Sequence, residues 1–139
     1  MGGSILTLDG DIDLYVDGDF QVSGGGQIDV TAGSNVTIHH GSGLMKISGN
    51  AIINMNAEPE TLNVLTATTT DVTFSGGVDF YGTIYAPQAQ LNMNGSAHYY
   101  GGAVAKRLNI SNGFLHQDLA LGKEVSSGFS VLMMQPFTL

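Results

Sequence analysis

Two sets of residues carry side chains that could do chemistry. Asp79, His98 and His116 recur at spacings of nineteen and then eighteen residues, and two positions beyond each stand Tyr81, Tyr100 and Asp118. A carboxylate and two imidazoles in one column are ordinary Zn2+ ligands, although a closed zinc site takes four. Tyrosines beside carboxylates suit a sugar ring instead, through stacking on the aromatic face and hydrogen bonds to hydroxyls. The plainer reading of both columns is a row of outward, solvated strand residues. The second set is acidic: Asp9-Gly10-Asp11 and Asp17-Gly18-Asp19 form oxygen-rich glycine corners of the kind Ca2+ favours. Asx-Gly is equally what a tight turn needs, and the two triplets fall on different corners, without the glycine-rich Ca2+ nonapeptide. No cofactor is required by the sequence, and Ca2+ is the ion these corners could take. His39-His40, just before Gly41, reads as a strand end.

Catalytic patterns are sparse. Lyases acting on acidic sugars need cations to neutralise a uronate, and Lys106-Arg107 is the one basic pair. Glycoside hydrolysis needs two carboxylates facing each other at roughly 5–9.5 Å across a cleft. No Gly-x-Ser-x-Gly elbow, Walker loop or His-Glu-x-x-His motif occurs. A polysaccharide-active enzyme remains the second alternative, because fold does not fix function. The net charge of −8 rests on only four basic residues, Lys46, Lys106, Arg107 and Lys123. Phosphate backbones and anionic lipid surfaces are therefore repelled, and nucleic acid is excluded as a partner. There is no cysteine and no apolar run near the ~20 residues that cross a bilayer, so the chain is not expected to insert in a membrane.

The elements that must position these side chains follow from periodicity. Apolar-x-apolar pairs return every eight residues, as Ile12/Leu14, Phe20/Val22, Ile28/Val30 and Val36/Ile38, then Met45/Ile47 after nine. Each pair is a short strand with two side chains inward and one outward. Between them lie Asp17-Gly18-Asp19, Gly24-Gly25-Gly26, Ala32-Gly33-Ser34 and Gly41-Ser42-Gly43, all turn chemistry. In the second half Gly76-Gly77-Val78-Asp79-Phe80-Tyr81-Gly82 returns as Gly95-Ser96-Ala97-His98-Tyr99-Tyr100-Gly101. Val72-Thr73-Phe74, Leu91-Asn92-Met93 and Leu108-Asn109-Ile110 align across three repeats, as do Ile84-Tyr85-Ala86 and Ala103-Val104-Ala105. The pattern predicts an all-β, single-domain, right-handed parallel β-helix (a β-solenoid) with three short strands per coil. Glycine at 20 residues and charged residues at 12%, against a typical ~25%, agree with a turn-dense, strand-rich chain.

The pattern is weakest over residues 56–70, read as a looped crossover plus a polar strand. Thr66, Thr68, Thr69 and Thr70 do not recur one coil later, so an ice-binding threonine array is rejected. Residues 1–4 read as a linker, 5–121 as the solenoid and 122–139 as a capping or side-packing segment, with Phe129, Val131, Met133 and Phe137 as candidates for burial. The abrupt start in a strand pattern suggests a piece of a longer protein, whose targeting or anchoring segment would lie outside it.

The stretch Phe80-Tyr81-Gly82-Thr83-Ile84-Tyr85-Ala86-Pro87, followed by Tyr100-Gly101-Gly102-Ala103-Val104-Ala105-Lys106 and His116-Gln117-Asp118-Leu119-Ala120-Leu121, resembles a bacterial domain of unknown function. That domain looks like the C-terminal β-helix of type IV pilus assembly proteins, similar to PilX-type minor pilins and more distantly to bactofilins. The resemblance implies an extracellular or cell-surface module, periplasmic before export, with pilus or envelope subunits as partners and a surface glycan as a further ligand. It implies no activity. The alternative is a bactofilin-like cytoskeletal polymer that self-associates through its solenoid ends.

Overall fold

A computed structural model describes residues 3–116 and the backbone of Val131–Met133. The chain winds as a β-solenoid of about five turns whose strands pair in parallel, each with the strand one coil away. Three walls result. The first holds β2 (Asp11–Val16), β5 (Asn35–His40), β8 (Leu62–Thr66) and the opening residues of β11 (Thr83–Asn94) and β13 (Ala103–Ser111). The second holds β3 (Phe20–Val22), β6 (Met45–Ser48), β9 (Val72–Ser75) and the closing residues of β11 and β13. The third holds β1 (Ile5–Leu8), β4 (Gln27–Val30), β7 (Ile52–Ile53), β10 (Asp79–Tyr81), β12 (His98–Tyr100) and β14 (Phe114–His116). In the last two coils the chain rounds one corner without breaking strand, so the first and second walls merge into one nine-stranded sheet.

The inward residues of each wall stack into columns, as strand alternation requires. Phe20, Met45, Val72, Leu91 and Leu108 form one, and Ile28, Ile53, Phe80, Tyr99 and Leu115 another. At the centre, Phe80 lies 5.0 Å from Tyr99 with rings nearly parallel, while Phe74 meets Phe80 edge-on at 5.1 Å. The Tyr99 hydroxyl donates to the Gly102 carbonyl, so the buried phenol keeps a partner, and burial pushes its pKa far up.

The corner between the second and third walls explains much of the glycine content. Gly24, Gly49, Gly76 and Gly95 stack on one another, all with positive φ. A β-carbon on Gly49 would stand 2.9 Å from the Gly24 nitrogen, and one on Gly95 3.0 Å from the Gly76 nitrogen. Coils can close up at their spacing of about 4.8 Å only if this column carries no side chains.

Residues 56–70 differ from the expectation. A 3-10 turn at Pro59–Thr61 leads into β8, whose Leu62 and Val64 are buried, so the strand precedes the threonine run and is half apolar. The threonines form the next corner, where the Thr68 and Thr70 hydroxyls both donate to the Gly43 carbonyl, at 2.7 and 3.0 Å. The same corner holds a feature that the strand-end reading of His39-His40 missed. His40 is 2% exposed and bridges three coils, with Nε2 2.8 Å from the Gly18 carbonyl and Nδ1 2.8 Å from the Thr66 hydroxyl. A carbonyl can only accept, so this network assigns the hydrogen to Nε2, and Thr66 donates to Nδ1.

Past the fifth coil, Val131–Met133 forms β15, which pairs in parallel with Ala103, Val104 and Ala105 and adds one strand to the first wall. Asp118, Phe129 and Phe137 lie outside the described residues, as do the solenoid boundary at residue 121 and most of 122–139, and the side chains of Val131 and Met133 are not described. No helix among the described residues is long and apolar enough to cross a membrane.

Candidate functional site: a ring ladder on the third wall

The three rungs of the third wall place Asp79 opposite His98 and His98 opposite Phe114; one pleat along, Tyr81 faces Tyr100 and Tyr100 faces His116. The expected Asp79, His98 and His116 column is therefore corrected: Phe114 completes it, and His116 belongs to the tyrosine column. The cause lies in the corners. Pro87, Gln88 and Ala89 in the fourth coil stand where the fifth has only Lys106, because the register shifts between Ala86 and Gln90. The next corner is one residue shorter again, as Asn94 to Ala97 answers to Ser111 to Gly113. Nineteen residues separate Asp79 from His98, but sixteen separate His98 from Phe114.

The outward rings stack along the solenoid. Tyr81 and Tyr100 lie 4.5 Å apart at 8°, Tyr100 and His116 4.4 Å at 10°, and His98 and Phe114 4.7 Å at 17°. Tyr100 is stacked on both faces, between Tyr81 and His116, and the rings turn their edges outward, phenol hydroxyls and imidazole nitrogens among them. Tyr100 therefore offers a sugar ring no free aromatic face, whereas Tyr81 ends its stack. Phe114, 52% exposed, ends its stack.

The two histidines meet across the diagonal, His98 Nδ1 lying 3.0 Å from His116 Nε2. Their ring planes differ by 7° and their centroids are 5.3 Å apart. The centroid separation exceeds the nitrogen separation by about what two ring radii add, so the rings lie end to end in nearly one plane rather than face to face. This is the geometry of an N–H···N hydrogen bond, in which one imidazole donates and the other accepts. The zinc expectation is corrected accordingly: Asp79 does not join the pair, and no group of three potential metal-ligating side chains occurs among the described residues. Burial first, and then the neighbouring charges of Tyr100 and Asp79, hold the Tyr81 phenol above its ordinary pKa, so its hydroxyl remains a donor at neutral pH.

The four aspartates read as a Ca2+ site are spread around the first coil and engage the second. The Thr31 hydroxyl donates to Asp9, the Asn35 amide to Asp11 at 3.3 Å, the Ser42 hydroxyl to Asp17 at 3.0 Å and the Leu44 N–H to Asp19 at 2.9 Å. Their carboxylates thus act as turn acceptors between coils, and among the described residues no three potential metal ligands come together.

A second surface was not read from the sequence. On the first wall, Tyr15 and His39 stack at 4.5 Å, His39 Nε2 lies 2.9 Å from an Asp13 carboxylate oxygen, and Leu65 and Tyr85 continue the outward column. Between this column and the corner at Gly41 and Ala67 lies an open groove of about 590 Å3. The signal was faint because its residues come from four coils and share no local motif.

The fold and the ladder define an all-β parallel solenoid with rings stacked along one wall. Within that class the chain belongs to a family known as a domain of unknown function (DUF7305), which matches residues 3–124. No curated protein and no solved structure matches it.

Proposed function

We propose that this chain is a non-enzymatic structural and adhesive module at the cell surface, associated with a type IV pilus-like assembly, and that its third wall is the face a partner subunit binds. The observation that carries this reading is the ring ladder, in which Tyr81, Tyr100, His98, His116 and Phe114 are held outward on a rigid parallel sheet. Binding surfaces are enriched in aromatic residues that keep a polar tip, and side chains already ordered by stacking lose little entropy on contact. With Tyr100 covered on both faces, the ladder suits a protein partner, met through edge hydrogen bonds and the Phe114 face, better than a glycan. The motif resemblance to pilus assembly proteins supplies the cellular setting.

The full-length protein should be sheared from producing cells together with pilin. Tyr81→Ala/Tyr100→Ala should deplete it from that fraction while the total amount and the circular dichroism stay unchanged. A cytoplasmic location, or a sheared fraction indifferent to the double substitution, would contradict the proposal.

A further inference from the structure

The groove on the first wall owes its shape to two corners that carry almost no side chain. Asp17, Gly41, Ala67 and Pro87 follow in line where β2, β5, β8 and the opening of β11 reach the corner. Gly41 and Ala67 leave the middle of that line hollow, while Asp17 stands at one end and the longer corner of Pro87 and Gln88 at the other. The outward column of Tyr15, His39, Leu65 and Tyr85 forms the long side. Tyr15 is 75% exposed, Tyr85 46% and Leu65 40%, so large apolar side chains line one continuous strip. Strips of this kind mark interaction sites, whereas scattered apolar residues do not.

Charge marks the Tyr15 end. Strand alternation turns Asp13, Tyr15 and Asp17 to the same outward side, in steps of roughly 7 Å. Asp13 meets His39 at 2.9 Å, but Asp17 accepts from the Ser42 hydroxyl and meets no cation among the described residues. Tyr15 rests on His39 by one face, and its other face looks out where β2 ends the sheet. A guanidinium laid on that face would be drawn by the ring and by the Asp17 carboxylate together. The opposite end, at Leu65, Tyr85 and Pro87, is apolar and uncharged.

We propose that this groove binds an extended segment of a partner protein, which sets an arginine on Tyr15 beside Asp17 and an apolar side chain against Leu65 and Tyr85. The lengths agree. Tyr15 and Tyr85 are three coil steps apart, about 14 Å, which four residues of extended chain span. The two anchors therefore stand at positions i and i+4, on one side of the segment. An open trough of about 590 Å3 suits a chain that lies along it, whereas a small ligand needs a site that encloses it. The net charge of −8 draws a basic segment and repels an acidic one.

The test is a nuclear magnetic resonance titration of the isotope-labelled full chain with the peptide Arg-Ser-Leu-Ser-Phe, blocked at both ends. It should shift the amides of Tyr15, Gly41, Ala67 and Tyr85 and saturate, while Glu-Ser-Leu-Ser-Phe should leave them in place. Tyr15→Ala and Asp17→Asn should each weaken the arginine peptide roughly fivefold or more. Ala67→Trp, which fills the hollow, should abolish its binding. All three positions are exposed, so circular dichroism should show an unchanged fold in each variant. Absence of saturable shifts, equal binding of the glutamate peptide, or indifference to these substitutions would overturn the proposal. Three other occupants would overturn it as well. A sugar site would respond to cellotetraose and not to the peptide, and a second copy would move the groove amides with protein concentration alone. If the chain fills its own groove, Overhauser contacts join Tyr15 or Tyr85 to residues beyond Met133 before any peptide is added. The ladder on the third wall takes no part in these measurements.

Discussion

Gly101→Ala is expected to prevent stable folding, at a cost on the order of 4 kcal/mol or more. Gly101 has φ +137, a conformation L-residues rarely adopt, and a β-carbon there would come within 2.0 Å of the Gly82 carbonyl oxygen one coil below. That oxygen belongs to the backbone, so no flexible side chain can give way. The contact is also pinned from both sides: the Gly82 N–H donates to the Tyr100 carbonyl at 3.0 Å, and the Gly101 N–H to the His116 carbonyl at 3.1 Å. Both glycines close a Tyr-Gly pair just after the ladder, so the coil spacing that stacks the rings depends on their bare backbone. Thermal melting followed by circular dichroism gives the answer. A melting temperature within a few degrees of wild type would mean that the corner is looser than this packing allows.

Phe80→Ala should cost about 3–5 kcal/mol, the usual toll for truncating a buried aromatic. Phe80 is 1% exposed and packs between Phe74 at 5.1 Å and Tyr99 at 5.0 Å, where neighbouring coils hold the walls too firmly to collapse into the space. For a domain of this size the melting temperature should fall by roughly 10–20 °C. Urea denaturation checks the magnitude independently, since the midpoint should drop while the slope stays near that of the parent. A loss below about 1 kcal/mol would mean that Phe80 does not face the core.

The inward face of this fold was legible because burial imposes a period of two that survives in the residues themselves. Ile12/Leu14, Ile28/Val30, Val36/Ile38 and Met45/Ile47 all point inward, and the alignments of Val72, Leu91 and Leu108 and of Ile84 and Ala103 are the observed register. Corner lengths were not legible. Gly, Asp and Ser tolerate one residue more or fewer at a turn, so a constant period carried His116 onto His98 when the fifth coil had given up three residues. Placing the column correctly required seeing that Pro87, Gln88 and Ala89 face Lys106 alone. Polar residues misled for a related reason. Asp9, Asp11, Asp17 and Asp19 resemble ligands in sequence, but across the coil gap they meet hydroxyl, amide and backbone donors that no local window contains. His40 escaped notice likewise, because its partners Gly18 and Thr66 lie 22 and 26 residues away.

The ring ladder depends on the register of the third wall, and disulfide trapping tests that register directly, since the chain has no cysteine of its own to interfere. Outward residues on adjacent parallel strands have Cα atoms about 4.8 Å apart, within the range a disulfide spans, whereas a diagonal pair stands at about 8 Å, beyond it. Tyr100→Cys/His116→Cys should therefore oxidise readily to an intramolecular disulfide, detected by mass and by the loss of free thiol, while His98→Cys/His116→Cys should stay reduced under the same mild oxidant. Ready closure of the 98/116 pair with the 100/116 pair left reduced would restore the constant-period register and contradict the ring ladder.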